Sequence, residues 1–106
     1  MDLVRGFQRG AIALHVLHHA GPQGERGGVH GAWLAAELAR HGYRVSPGTL
    51  YPLLSRMQSE GLLTSRSVVV EGRRRRVYKA SAKGRKALAG CRIALEELSA
   101  EVLGPS

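Results

Sequence analysis

Between Leu3 and Ala20 apolar positions recur with helical spacing: Leu3, Phe7, Gly10, Leu14 and Leu17 follow steps of four, three, four and three. Ile12 and Val16 fall on the opposite side. The helix predicted over 3–20 is therefore apolar on two sides and is expected to be covered on both. In so small a protein one covering is expected to be a second subunit, meeting Phe7 and Leu14. The stretch Gly21-Pro22-Gln23-Gly24-Glu25-Arg26-Gly27-Gly28 breaks the pattern and reads as a flexible loop. Ala32 to Arg40 then predicts a short helix with Trp33, Leu34 and Leu38 inward, ended by Gly42. Ser46 and Pro47 suit the N-cap and first position of the next helix. In that helix Leu50, Leu54 and Met57 recur at steps of four and three before Gly61 closes it. Pro52 fits there if the hydrogen bond it deletes is among those unmade at a helix start. Two helices around His41-Gly42-Tyr43-Arg44-Val45 have the layout of a helix-turn-helix over 31–61.

From Leu62 the period changes. Ser67-Val68-Val69-Val70 is short and largely β-branched, Glu71-Gly72 can turn, and Arg73 to Ala80 can return as a second strand. Ser81 can cap a last helix, over 81–103, in which Leu88, Cys91, Leu95, Leu98 and Val102 step by three, four, three and four. That spacing is a coiled-coil seam, read here as a dimer contact, with packing on the chain's own core as the alternative. The expected fold class is α+β, mainly α. It is a winged helix-turn-helix of three helices plus a two-stranded β-hairpin wing (62–80), with a C-terminal dimerisation helix, as one domain over 1–106.

Charge adds a partner to this outline. The 106 residues carry 16 Lys and Arg against 8 Asp and Glu, a net charge of +8. Ten of the cations lie between Arg66 and Arg92, where Glu71 is the one acid, whereas Glu96, Glu97 and Glu101 follow with no Lys or Arg. Such segregation exceeds what solubility needs and favours a polyanion, nucleic acid before an anionic membrane surface. No apolar run approaches the roughly 20 residues that span a bilayer, so no membrane role is expected. The N-terminus lacks the layout of a secretory signal peptide. Cys91 is the single cysteine, which excludes an intrachain disulfide and fits a reducing cytoplasm.

In a helix-turn-helix the second helix enters the major groove, its N-terminal residues nearest the base edges. Here those are Ser46, Thr49 and Tyr51, with Ser55 and Arg56 further along. Their hydroxyls can bond bases or phosphates, and the threonine methyl can touch a thymine methyl. Arg73, Arg74, Arg75, Arg76 and Lys79 on the hairpin would reach phosphates or the minor groove. Strand alternation puts Arg74 and Arg76 on the Tyr78 side, leaving Arg73 and Arg75 as the freer pair if Tyr78 is core.

These residues also resemble a known family. Leu50-Tyr51-Pro52-Leu53-Leu54 ending in Glu60-Gly61-Leu62-Leu63, and Gly72-Arg73-Arg74-Arg75-Arg76-Val77-Tyr78 with Ser81 and Gly84 downstream, resemble PadR-type regulators. Val29-His30-Gly31 is similar to that family's His-Gly pair before the second helix. The resemblance runs from about Val29 to Leu88 and implies a homodimeric repressor of transcription that binds palindromic half-sites of double-stranded DNA. It aligns Ser46, Thr49 and Tyr51 with the recognition helix and Arg73 to Arg76 with the wing. Val77 stands where many members carry a second tyrosine, and Ala80 where they carry a bulky apolar residue. With one C-terminal helix, the chain resembles the short subclass.

His15 and His19, at i and i+4 in the first helix, have the spacing that lets two imidazoles share a metal, with His18 beside them. No cofactor is required by this reading, but a divalent ion such as Zn, Cd or Ni is a candidate effector. One chain shows no complete ligand set, so a partner subunit or nearby carboxylate would have to finish it. His30 reads as structural, His41 as a helix-end residue, and Cys91 as a buried thiol on the seam. An enzyme is not expected, because no nucleophile elbow or P-loop occurs. Scattered aromatics argue against an RNA platform. A non-specific architectural DNA binder is the alternative function.

Overall fold

The structure, a computed structural model, describes residues 1–22, 24 and 27–104. Gln23, Glu25 and Arg26 of the glycine-rich stretch lie outside the described residues, as do Pro105 and Ser106. The element order is α1 (Leu3–Ala20), β1 (Val29–His30), α2 (Gly31–Arg40), α3 (Pro47–Ser59), β2 (Leu63–Val70), β3 (Arg73–Ala80) and α4 (Ala82–Leu103).

Local chemistry accounts for most of these boundaries. Asp2 caps α1 by accepting the Arg5 amide at 2.9 Å. Gly42 (φ 90°) and Gly61 (φ 80°) close α2 and α3 in the left-handed region. At each, two amides turn back onto the helix: Gly42 and Tyr43 donate to the Ala39 and Leu38 carbonyls, Gly61 and Leu62 to those of Gln58 and Met57. Ser81 caps α4 by accepting the Gly84 amide at 3.0 Å.

Three local expectations are corrected. Ser46 occupies the N-cap position of α3 but makes no cap bond; its hydroxyl donates instead to the Thr49 hydroxyl at 3.2 Å. Pro52 lies well inside α3, so the bond it deletes is not one of the unmade first ones, and the Gly48 carbonyl loses its helical donor. Both residues are exposed, so water can serve that carbonyl. The sheet has three strands, not two. β3 is central, paired antiparallel with β2 (Leu63↔Ala80 to Val70↔Arg73) and with the short β1 (Val29↔Tyr78, His30↔Val77). At the hairpin tip Glu71 and Gly72 both have positive φ, 51° and 75°, as a two-residue turn between twisted strands requires.

Every element contributes to one core: Val16, Leu17 and Ala20 from α1, Leu34 and Leu38 from α2, Leu50, Leu54 and Met57 from α3, with Val29, Leu63, Tyr78, Ala80 and Leu88. Each fully buried leucine stabilises by about 1.5–3 kcal/mol. The exposed Asp2–Arg5 ion pair contributes at most about 1 kcal/mol. Packing therefore fixes the fold. The core ends early on both long helices. Residues 3–10 of α1 are all exposed, and beyond Leu88 no residue of α4 is buried.

Candidate nucleic-acid interface

The buried positions of α3 at Leu50, Leu54 and Met57 define its opposite face. Ser46, Thr49, Tyr51, Ser55 and Arg56 are all exposed there, Tyr51 at 46%. Gly48 and Pro52 share this face, which keeps its profile low around the hydroxyls. The five residues singled out from sequence are thus all open to solvent, on the part of α3 that the core leaves uncovered.

The wing carries the cations beside that surface. Arg73, Arg74, Arg76 and Lys79 are exposed, whereas Arg75 is half-buried. The expectation that Arg73 and Arg75 form the freer pair is therefore corrected. The physical reason is the strand's length: the Tyr78 face is core only at its root, at Tyr78 and Ala80, and emerges into solvent by Arg76 and Arg74. Arg76 donates to the Ser65 hydroxyl at 3.0 Å, which donates in turn to Gln58 Oε1 of α3 at 2.8 Å. Arg74 and Arg76 thus share the sheet face that meets α3. Ser65 and Gln58 escaped the sequence reading because a link between distant elements leaves no local periodicity.

α3 is also tied to α4. The Ser81 hydroxyl donates to the Gly61 carbonyl, the Ser81 amide to the Leu62 carbonyl at 3.1 Å, and Lys83 Nζ to the Glu60 carbonyl at 2.7 Å. The end of α3 is thereby fastened to the start of α4.

That last helix and α1 flank an apolar groove of about 670 Å³, lined among others by Phe7, Leu14, Leu88, Cys91, Leu95 and Leu98. Phe7 is 61% exposed, Leu95 47% and Val102 68%. Leu14 is half-buried and Leu98 and Cys91 are exposed, so the expectation of a buried Cys91 thiol is corrected within one chain. Leu88 is corrected too: at 5% exposure it belongs to the chain's own core and forms the inner end of the groove.

The histidines divide. His15 stacks on His19 (centroids 6.1 Å) and His41 (5.5 Å) and meets the edge of Tyr43 at 5.1 Å. His18 points to α4, where its Nδ1 lies 3.3 Å from the Arg92 guanidinium. His41 Nε2 is 3.6 Å from Glu37 Oε1 at the end of α2. Burial lowers the His15 pKa, and positive charge on His41, His19 and His18 lowers it further, against a smaller opposing pull from Glu37. The Arg40 hydrogen bond holds the Glu37 carboxyl below its usual range. Among the described residues no three His, Cys, Asp or Glu converge to hold a metal ion. His30 caps α2 through Nδ1, which accepts the Trp33 amide at 3.2 Å.

Helix-turn-helix, three-stranded wing and a trailing helix define the class of winged-helix DNA-binding proteins. The Transcriptional regulator PadR-like family matches residues 16–90, and the chain belongs to that family. It is 60% identical over 101 residues to the transcriptional regulator Rv3488 of Mycobacterium tuberculosis, covering 95% of this chain and 91% of that protein. A PadR family transcriptional regulator from Eggerthella lenta superposes with a TM-score of 0.78 at 29% identity, covering 95% of this chain and 86% of that one. A PadR-like regulator from Bacillus cereus gives 0.74 at 28%, covering 96% and 93%. The chain is accordingly a transcriptional regulator, a DNA-binding protein and not an enzyme. No described helix is long and apolar enough to cross a membrane.

Proposed function

We propose that the chain is a homodimeric, sequence-specific repressor that reads palindromic operator DNA with α3 and holds the backbone with the wing. The observation that carries this reading is that Ser46, Thr49, Tyr51, Ser55 and Arg56 are exposed on α3 while the wing face carrying Arg74 and Arg76 is tied to α3 through Ser65 and Gln58, with Arg73 and Lys79 exposed on the other face of the same strand. Hydroxyls and a tyrosine at a helix start suit base edges, and arginines on an exposed hairpin suit phosphates. The half-buried Arg75 fits a supporting place in the same wing. Dimerisation is supported by the apolar groove between α1 and α4 and by the exposed Leu3, Phe7, Leu95, Leu98 and Val102. Two copies would set their recognition helices about one DNA turn, roughly 34 Å, apart. An effector seated between subunits would act through the Ser81 and Lys83 bonds that join α4 to α3. A metal effector would need ligands from both subunits, with His15, His18 and His19 as this chain's contribution.

Two substitutions test the division of labour. Thr49→Ala is expected to lower the ratio of specific to random DNA affinity by about tenfold, since one lost base contact is worth roughly 1–3 kcal/mol. Arg74→Ala is expected to weaken binding to both DNAs alike and to shallow the salt dependence by about one phosphate contact. Equal effects of the two changes on both DNAs would favour the architectural alternative.

A further inference from the structure

The first residue of α2, Gly31, is buried, and what it touches is the recognition helix. A Cβ placed on Gly31 would lie 2.5 Å from Tyr51 Cε1, 2.7 Å from its hydroxyl and 2.8 Å from Cζ. These are the three nearest heavy atoms, so the phenol end of Tyr51 rests directly on the α2 backbone. Gly31 does not have a positive φ, so its backbone would accept alanine, and alanine is the better helix former. Nothing in the local conformation asks for glycine; the ring of Tyr51 does. Tyr51 is nonetheless 46% exposed, on the same side of α3 as the exposed Ser55. Burial raises the pKa of Tyr78 at the wing root, the Arg76 charge pulls it down, and Tyr51 lies close enough to add a smaller upward push.

We infer that Gly31 is a positioning residue for DNA binding: its missing side chain makes the seat that fixes the Tyr51 phenol where recognition helix, α2 and wing root meet. A tyrosine so braced reaches the DNA with little rotamer freedom left to lose. A methyl group at Gly31 displaces the far end of a flexible side chain, not backbone, so it moves the phenol and leaves the fold in place. This inference rests on the DNA-binding role proposed for Tyr51.

The test is a double-mutant cycle of wild type, Gly31→Ala, Tyr51→Ala and the pair. Binding is measured to a duplex that the wild-type protein enriches from random-sequence DNA, and thermal unfolding is followed in parallel. Tyr51→Ala is expected to weaken binding about tenfold, the scale of a hydrogen bond to a charged group. Gly31→Ala is expected to weaken it several-fold with an unchanged or raised Tm, and to add less than about twofold once Tyr51 is alanine. If Tyr51→Ala is silent, or no duplex is enriched, the DNA-binding role of Tyr51 fails and the inference with it. If Tyr51→Ala weakens binding but Gly31→Ala is silent or fully additive, the seat alone is refuted. If Gly31→Ala unfolds the protein and the pair refolds it, the contact serves the fold and the inference is likewise overturned.

Discussion

His15 shows how much a single residue's role depends on neighbours that its own helix does not supply. Helical spacing pairs it with His19, but the fold adds His41 and Tyr43 from the turn after α2. Burial and three nearby imidazoles favour its neutral form, and Glu37 pulls weakly the other way. Its folded pKa therefore lies below its unfolded one, near 6.5. The stability it contributes is complete above that value and is lost as pH falls through the lower folded pKa. Glu37, held low by Arg40, keeps its charge across this window and does not offset the loss. The Tm is expected to fall between about pH 7.5 and about pH 5.5, the histidine range, and His15→Gln is expected to flatten that fall. A wild-type Tm that rises on acidification would contradict the assignment.

Among elements, α4 divides between two tasks. Its first turns belong to the core through Gly84 and Leu88 and to α3 through Ser81 and Lys83. Beyond them Leu95, Leu98 and Val102 face solvent in the single chain. Leu95→Glu places a charge on the groove that a second subunit would cover, and it should weaken the proposed dimer by about a hundredfold or more. Sedimentation should then find a monomer with an unchanged helical signal; a persisting dimer would contradict the seam. The helices were legible in sequence because their apolar residues recur at steps of three and four, buried in α3 at Leu50, Leu54 and Met57 and left mostly exposed along α1 and α4. The exposed α3 residues followed from the same stripe by elimination. β1 was not legible, because two residues carry no alternation, and its pairing to Tyr78 is set by tertiary contact alone. The exposure of the wing arginines was misjudged for a related reason: alternation names the two faces of β3 but not where along the strand the core ends. The ties from Arg76 through Ser65 to Gln58, and from Gly31 to Tyr51, join elements distant in sequence and had no local signal to betray them.

The whole molecule measures 50 × 28 × 25 Å, long for its size because the ends of α1 and α4 extend past the core. Ten of its sixteen Lys and Arg lie between Arg66 and Arg92, on the wing and the first half of α4, whereas the end of α4 carries Glu96, Glu97 and Glu101. The wing is therefore the part best suited to approach a polyanion, and the acidic end of α4 the part least suited. The central claim is that this surface reads sequence as well as charge. The most direct measurement compares binding to the duplex upstream of the protein's own gene with binding to the same duplex scrambled, at about 0.15 M salt, near physiological ionic strength. A preference of about 10³-fold or more for the first is expected of a specific regulator. Equal affinity for both would contradict it and leave a protein that grips phosphates without reading bases.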